Sequence, residues 1–298
     1  MIFRGEDLLE FTDRFQDDMA CLAYLADLKW SNGFSCVKCE HDKHTIRKKN
    51  LARDCNRCHH IESPTANTLF HRIRFSLRKT FTIVFEMSAT TKGISSEQVA
   101  RRYSISQTTS WAFMHKVRKA MESSKKHPMK GDVHVDEFVF GGKETGKPGR
   151  SYNSKKKKLV VAVELTKEEK VKRVYIKRIS DYSAKSLRAI FIDHISPEAQ
   201  IKTDKWSGYG PIAGEYNIKQ VLSESGSNMK QLHTIIHQGK TWLRSVHSWV
   251  HKEHVESYLS EYCFRINRSI HKQTIFHKLI ERMVEAKPYD YQMIKISN

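Results

Sequence analysis

Two aspartates in apolar, strand-like segments, one within its strand and one at the end of its strand, are the residues of this sequence best suited to chemistry. Asp136 lies in HVDEFVFGG just before a glycine pair, and Asp204 ends IKTD before the aromatic turn KWSGYG. Two carboxylates held close at one sheet edge repel each other and favour a cation between them. Mg²⁺ suits such a site because it takes oxygen ligands and shares the remaining positions with phosphate and water. A strand-end aspartate is also a common turn residue, so spacing alone leaves this interpretation open.

Four cysteines in two tight pairs predict a structural zinc site. Cys36 and Cys39 form CVKC, Cys55 and Cys58 form CNRC, and 15 residues separate the two pairs. Four thiolates at tetrahedral corners satisfy Zn²⁺ and leave no open position, so this metal is expected to be structural. Disulfides and free thiols are the alternatives. Nearby histidines are interpreted as surface residues beside a complete ligand set: His41, His44, His59 and His60.

The charge of the chain favours a polyanionic partner. Lys and Arg number 52 and Asp and Glu number 33, which gives a formal net charge of +19 over 298 residues. Such an excess concerns partners rather than fold, and nucleic acid is the leading candidate. MIFRGEDLLE lacks the apolar core of a signal peptide, and no segment approaches the ~20 apolar residues of a membrane span. We therefore expect a cytoplasmic protein with reduced thiols, associated with the nucleoid when bound.

Between residues 75 and 122 the pattern predicts helices that resemble a helix-turn-helix. SSEQVARRYSI predicts a short helix capped by Ser95 or Ser96, and SQTTSWAFMHKVRKAM predicts a longer one capped by Ser106. In such motifs the start of the second helix meets base edges, while basic residues nearby meet phosphates. A plain helical connector would show the same pattern. The residues predicted to contact DNA are Arg101, Arg102, Gln107, Thr108, Thr109, His115 and Lys116.

From about residue 130 the pattern changes to strands mixed with helices, which predicts an α/β domain with a mixed sheet. KLVVAVEL is apolar throughout, as expected of a strand buried on both faces. VKRVYIKRI alternates, AQIKTD and IKQVLS are short strands, and AKSLRAIFIDHI and KEHVESYLSEYCFRIN have helical spacing. The two aspartates therefore belong to strands of one predicted sheet.

Two further features carry weaker predictions. Trp242 and Trp249 flank LRSVHS and are predicted to be packing anchors rather than platforms on which bases stack. The run from Lys155 to Lys158 is most simply a solvated hairpin, and contact with phosphates is its alternative interpretation.

The motifs together resemble one known family over residues 11–285. In order, they are CLAYLADLKWSNGFSCVKC, CNRC, the helical region, VDEFVFGG, TDKWSGY, LHTIIHQGKTWLRSVH and EHVESYLSEYCFRINR. This order is similar to that of bacterial insertion-sequence transposases of the DDE superfamily that carry an N-terminal zinc ribbon. The resemblance implies a ribonuclease-H-like α/β domain, a mixed sheet flanked by helices, preceded by the zinc ribbon and the helix-turn-helix.

The resemblance also implies roles for individual residues. Asp136 matches the first metal-ligand position and Asp204 the second. His233 occupies the third position, where the superfamily usually has glutamate and where this subgroup accepts histidine. Lys240 follows seven residues later on the same helix face, where it would contact DNA phosphate beside the metals.

The third ligand has alternatives. His237, one helical turn beyond His233, and Glu224 in the preceding loop also carry suitable donor atoms. Glu137 adjoins the first aspartate but is expected on the opposite face of its strand. Because neutral imidazole is a softer ligand than carboxylate, Mn²⁺ is expected to support activity at least as well as Mg²⁺.

The activity implied is divalent-metal-dependent cleavage and strand transfer of DNA, with terminal inverted repeats and target DNA as substrates. A homodimer or larger assembly is expected, since strand transfer couples two ends. The alternatives are a catalytically inactive DNA-binding regulator and a metal-dependent nuclease without joining activity. The expected segments are an N-terminal helix with the zinc ribbon (1–70), the helix-turn-helix region (71–125), the catalytic domain (130–285) and a tail (286–298).

Overall fold

The structure, a computed structural model, describes residues 2–5, 7–90, 92–142, 144, 155–222, 224, 227–247 and 249–296. The chain divides into two compact units, one formed by residues 1–121 with 270–298 and the other by residues 122–269. This division differs from the expected segments mainly near the C terminus, because residues 270–285 group with the N-terminal unit. No helix in the described ranges is long and apolar enough to cross a membrane.

The elements follow one another in an order that matches the change of pattern near residue 130. In chain order they are α1 (Leu8–Arg14), α2 (Asp18–Lys29), β1 (His44–Ile46), β2 (Arg53–Cys55), β3 (Ile61–Glu62), α3 (Leu77–Ala89), α4 (Ser96–Tyr103), α5 (Gln107–Met121), β4 (Asp132–Phe140), β5 (Lys157–Leu165), β6 (Val171–Ile179), α6 (Ala184–His194), β7 (Gln200–Asp204), β8 (Ile218–Val221), α7 (Lys230–Val246), α8 (Val255–Ile266), α9 (Lys272–Glu285) and α10 (Tyr291–Ile296). A 3₁₀ helix, Ser207–Ile212, follows β7.

An aromatic core holds the helices of the first unit together. The rings of Phe15 and Phe81 have centroids 5.1 Å apart, and Phe11 meets Phe276 edge to face at 5.3 Å. All four side chains are almost fully buried. Large aromatic side chains dominate the energetics of a core because each buries a large apolar area. Since Phe276 lies on α9, this cluster explains why α9 belongs to the N-terminal unit.

The second unit is built on a five-stranded mixed sheet. Its strand order is β6-β5-β4-β7-β8. The pairs β4–β5 and β5–β6 are antiparallel, whereas β4–β7 and β7–β8 are parallel. The parallel pairs require crossover connections, and α6 supplies the one that precedes β7. The prediction of a mixed α/β sheet flanked by helices is confirmed.

Both faces of this sheet are covered, which explains the continuous apolar sequence of β5. Leu159, Val161 and Val163 pack into a core that also contains residues of α7 and α8. Val160 and Ala162 point the other way, into a core that contains residues of α6. A strand buried on both faces has no position where a polar side chain reaches water, so alternation disappears.

Two sets of polar contacts hold β6, an edge strand of the sheet, in place. Asn267, just after α8, pairs with the edge strand through both backbone groups of Val174: its Oδ1 accepts from the N–H at 2.7 Å and its Nδ2 donates to the C=O at 2.9 Å. Buried Glu164 accepts from Arg173 Nε at 2.7 Å and from the N–H of Gly131 at 3.1 Å. The contacts of Asn267 with Val174 and of Glu164 with Gly131 join segments distant in sequence, so they stabilise tertiary rather than local structure.

Candidate functional site

Asp136 and Asp204 converge because their strands are parallel neighbours. The register of β4 and β7 places His134 opposite Lys202, and each aspartate lies two residues beyond that pair. Residues two apart on a strand share a face, so both carboxylates extend from the same part of the sheet. Among the described residues, carboxylate oxygens of Asp136, Asp204 and Glu137 lie within 4.8 Å of one another. The structure thus brings together the two aspartates that the sequence singles out.

Glu137 joins this acidic cluster, although strand alternation places it on the other face of β4. It is buried, and its Oε2 accepts a hydrogen bond from the hydroxyl of Tyr209 at 2.7 Å. Burial raises the pKa of Tyr209 well above its ordinary value, and the charge of Glu137 raises it further, so the hydroxyl remains a donor. Strand alternation fixes only the face from which a side chain leaves the backbone. The side chain of Glu137 is long enough to bring its carboxylate to the cluster from the other face of β4.

The turn after Asp204 is held rigidly by its aromatic and glycine residues. The N–H of Trp206 donates to Asp204 Oδ1 at 3.0 Å, which orients that carboxylate. The indole N–H of Trp206 donates to the carbonyl of Tyr182 at 2.9 Å. At Gly208, a Cβ would lie 2.6 Å from that same carbonyl and 2.7 Å from the indole nitrogen. Only glycine therefore lets the chain pass this close to the indole.

Lys240 on α7 is the cation associated with the cluster. Its Nζ lies 5.3 Å from the ring centroid of Phe138, two residues beyond Asp136 on β4. Burial lowers the pKa of Lys240 and the charge of Arg244 lowers it further, while the charge of Asp136 raises it. The electrostatic interaction with Asp136 links α7 to the acidic cluster.

His233 lies on the same helix and interacts with Lys240 rather than joining the three carboxylates. Burial lowers its pKa and the ammonium of Lys240 lowers it further, so the imidazole is neutral at pH 7. Its Nε2 is buried and has no hydrogen-bond partner among the described residues. His237 and Glu224, the two alternatives, are exposed. The structure therefore brings Glu137 into the cluster of three carboxylates, whereas His233 is not part of that cluster.

The four paired cysteines form a second cluster, in the first unit. Their Sγ atoms all lie within 4.8 Å of one another. Cys36 and Cys58 have sulfurs 3.6 Å apart, and so do Cys39 and Cys55. Four sulfurs at ~2.3 Å from a tetrahedral Zn²⁺ are about 3.8 Å apart, so the donor set fits this ion. None of the four nearby histidines belongs to the cluster.

Both cysteine pairs sit in turns of the same construction. The carbonyl of Cys36 accepts from the N–H of Glu40 at 2.8 Å, and the carbonyl of Cys55 accepts from the N–H of His59 at 2.9 Å. Glu40 and His59 have positive φ angles of 61° and 56°, respectively. The repeated turn explains why two short, separate sequences present their thiols in matching geometry.

The helix pair α4–α5 has the caps that the sequence predicts. Ser95 Oγ accepts from the N–H of Gln98 at 3.2 Å, and Gln98 Oε1 accepts from the N–H of Ser95 at 3.0 Å, which forms a capping box. Ser106 Oγ accepts from the N–H of Thr109 at 3.1 Å. Both caps are confirmed, whereas the role of this pair in binding DNA remains a prediction.

Most of the residues predicted to contact DNA lie at the surface. Arg101 forms a salt bridge with Glu97, and Arg102 forms one with Glu86 at 2.6 Å. The Thr109 hydroxyl is half-buried and accepts from Ser106 Oγ at 2.8 Å. The exposed members of the predicted set are Arg101, Arg102, Gln107 and Thr108.

Two members of that set are placed differently. His115 is only 2% exposed, and its ring packs 4.4 Å from the ring of Trp111, so it cannot reach a base edge. Lys116 is half-buried and its Nζ donates to the carbonyl of His71 at 3.0 Å. Helical spacing places both beside the exposed face, but Lys116 contacts another segment at His71, and the ring of His115 packs against Trp111 one turn earlier on α5.

The two tryptophans near the end of α7 also differ from each other. Trp242 is 9% exposed and packs 5.6 Å from the ring of Tyr262, as expected of a packing anchor. Trp249 is 78% exposed, so the same prediction is wrong for it. Trp249 lies three residues after the end of α7, so it is not on the helix face that packs against the sheet.

Comparison with known families agrees with this arrangement. The ISXO2-like transposase domain matches residues 128–267, and the transposase zinc-ribbon domain matches residues 16–61. The crystal structure of the Mos1 mariner paired end complex with Mn is similar to this chain with 13% identity and a TM-score of 0.28, over 65% of this chain and 72% of that chain. The search of curated proteins gave no match. The predicted resemblance is confirmed, and the chain belongs to the transposases of the DDE superfamily that carry a zinc ribbon.

Proposed function

We propose that this transposase cleaves DNA at the ends of its element and joins the freed 3′-OH to target DNA, with divalent cations held at Asp136 and Asp204. The observation that carries the proposal is the convergence of three carboxylates within 4.8 Å in a chain of net charge +19. A protein that binds DNA gains nothing electrostatically from clustered carboxylates, since they repel phosphate. A divalent cation held by Asp136 and Asp204 would reverse this effect, because it would offset the negative charge of the carboxylates.

The donor set fits Mg²⁺ or Mn²⁺. All three members offer oxygen, which hard cations prefer, and their mutual repulsion is relieved by a cation. When bound, such ions activate a water or a 3′-OH and stabilise the leaving oxygen. The protein side chains have separate tasks. Asp204 is oriented by the N–H of Trp206, and the Tyr209 hydroxyl fixes one oxygen of Glu137.

The third ligand is either Glu137, which lies in the cluster, or His233, which the family resemblance implies. His233→Ala and its neighbour His237→Ala form a matched pair, because His237 is exposed on the same helix. If His233 is a ligand, its variant loses strand transfer and changes the ratio of activity in Mn²⁺ to activity in Mg²⁺. If Glu137 is the third ligand, Glu137→Gln shows that loss and His233→Ala resembles His237→Ala.

Lys240 is proposed to orient the phosphate next to the reacting bond. Its ammonium interacts electrostatically with Asp136, which supports a role beside a phosphate held at the acidic cluster. Lys240→Gln should reduce the rate of strand transfer more than it weakens DNA binding, because one phosphate contact is a small part of the total affinity.

The N-terminal unit is proposed to bind the ends of the element. A Zn²⁺ held by the four thiolates would fix the ribbon, and the exposed residues at the start of α5 would enter a groove. Gln107→Ala should lower affinity for end DNA more than for unrelated DNA, since base contacts carry specificity. Arg101→Gln should instead lower the affinity for end DNA and for unrelated DNA equally, and it should reduce the dependence of affinity on salt concentration. A dimer or larger assembly on two ends forms part of the same proposal.

Cleavage of intact element ends and strand transfer with pre-cleaved ends together test the proposal directly. The parent protein and its Asp136→Ala and Asp204→Ala variants are compared in Mg²⁺ and Mn²⁺, with DNA binding measured alongside. Joined product that requires both aspartates supports the proposal. Binding without any cut product would instead identify a regulator. Cut product without joined product would identify a nuclease.

A further inference from the structure

A cavity of about 630 Å³ lies in the second unit, where β4 ends and β5 begins. It lies beyond the acidic cluster along β4, since Phe140 lines it and Asp136 is four residues earlier on that strand. Four residues of a strand span about 13 Å.

Trp249 stands at this cavity with 78% of its surface exposed. Single exposed apolar residues are normal on proteins and need no function. Trp249 differs from such single exposed residues because a lysine ammonium lies next to its indole ring. Lys157 Nζ lies 5.7 Å from the ring centroid of Trp249 and 5.7 Å from that of Phe140. An exposed aromatic ring next to a cation is the combination on which unpaired bases stack while their phosphates are neutralised.

Most of the charged side chains around the cavity are basic. Lys155, Lys156, Lys157 and Arg244 line it, and Glu144 is the acidic residue among its lining. Lys155 and Arg244 are exposed. Arg244 and Lys156 also act electrostatically on Lys240, as does Asp136. Lys156 and Arg244 therefore line the cavity and also act on Lys240, the lysine that interacts with Asp136.

We propose that this cavity binds an unpaired nucleotide of the DNA strand whose phosphodiester lies at the acidic cluster, with the base stacked on Trp249 and its flanking phosphates held by Lys155 and Arg244. The ligand is unpaired because a base inside a duplex has both faces covered by its neighbours. This inference rests on the proposed function, since it names the form of DNA that the same site takes.

Equilibrium binding of two DNAs to the full-length protein tests the inference. One DNA is a blunt duplex, and the other is the same duplex with a three-nucleotide single-stranded 3′ tail. Fluorescence anisotropy is measured without added Mg²⁺ or Mn²⁺, so no cleavage is needed. The variants are Trp249→Ala, Trp249→Phe and, as a matched control, Ile192→Ala, which truncates an exposed apolar residue on α6 in the same unit.

Stacking of one base is worth roughly 5- to 150-fold in affinity, judged by alanine substitution. Trp249→Ala should lose an advantage of this size on the tailed duplex and bind the blunt duplex as the parent does. Trp249→Phe should retain most of the advantage, and Ile192→Ala all of it. Lys155→Gln and Arg244→Gln should each reduce the slope of log affinity against log salt for the tailed duplex by about 0.7, the value for one phosphate contact on a single strand.

Equal affinity of Trp249→Ala and the parent for the tailed duplex would overturn the inference. An equal loss of affinity for both duplexes would also overturn it, because a blunt duplex has no unpaired base to stack on Trp249. The result is independent of the catalytic proposal. If the aspartates prove dispensable for strand transfer but the tail preference depends on Trp249, the nucleotide site stands and the catalytic assignment falls.

Discussion

Gly208 is the position where a single methyl group should do the most damage near the acidic cluster. A Cβ there would lie 2.6 Å from the carbonyl oxygen of Tyr182 and 2.7 Å from Nε1 of Trp206. Neither atom is the end of a flexible side chain, so Gly208→Ala must move the indole or the backbone. Moving the indole breaks its 2.9 Å hydrogen bond to Tyr182.

The size of the effect follows from these two contacts. Forcing an extra methyl into a packed site costs about 1–3 kcal/mol. Losing the indole hydrogen bond adds about 1 kcal/mol. Gly208→Ala should therefore lower the free energy of unfolding by about 2–4 kcal/mol and the Tm of the second unit by roughly 5–15 °C. Because Trp206 orients Asp204, a shift of about 1 Å should also reduce strand transfer by about 100-fold.

Gly210, in the same 3₁₀ helix, provides the matched control. A Cβ at Gly210 meets nothing within 4 Å. Gly210→Ala should leave stability unchanged or raise it by about 0.4–1 kcal/mol through reduced entropy of the unfolded chain. Urea and thermal unfolding, followed by tryptophan fluorescence, compare the two variants. If Gly208→Ala unfolds at the same midpoint as Gly210→Ala, the close approach described here does not constrain the turn.

Three further perturbations probe the zinc ribbon and the sheet. Cys36→Ser should lower bound zinc from one ion per chain to none, which elemental analysis of the purified protein checks, because three thiolates leave the tetrahedral site open. Asn267→Ala should cost about 1–3 kcal/mol in urea unfolding, because it removes the partner of both backbone groups of Val174; an unchanged midpoint would show that water replaces it. Burial acts to raise the pKa of Glu164, but the hydrogen bond and charge of Arg173 outweigh it and the net pKa is lowered. The contribution of Glu164 to the free energy of unfolding is therefore complete above its unfolded pKa of about 4.3, and it is lost as the pH falls towards its lower pKa in the folded protein. Glu164→Gln should lower the free energy of unfolding by about 3 kcal/mol at pH 7 and reduce its decrease in acid, as measured by urea unfolding at several pH values.

Several features of this protein follow from neighbouring residues and could be predicted from the sequence. The cysteine pairs place four thiols in two short turns, and the caps at Ser95 and Ser106 act within three residues. The apolar run of β5 reports burial on both faces of a sheet. Each of these patterns depends on interactions over a few positions, which is the range that sequence spacing describes.

Other features depend on which segments meet, and the sequence pattern alone did not give them. The helix of Phe276 was assigned to the catalytic segment, but its ring completes the aromatic core of the other unit. His115 lies on the helix face predicted to contact DNA, yet only 2% of it is exposed. Trp249 was predicted to be buried and is exposed. Burial of a side chain is decided by the segment that covers it, and that segment is usually distant in the sequence.

The acidic cluster shows both sides of this distinction. The sequence by itself determined that Asp136 lies within a strand and that Asp204 ends one, because an apolar segment followed by a turn has a local signature. Only the tertiary structure decided that these strands are parallel neighbours in one register, and that the carboxylate of Glu137 reaches the same point. The physical reason is that pairing between β4 and β7 is a long-range contact between segments more than 60 residues apart, whose register is set by the packing of the whole sheet.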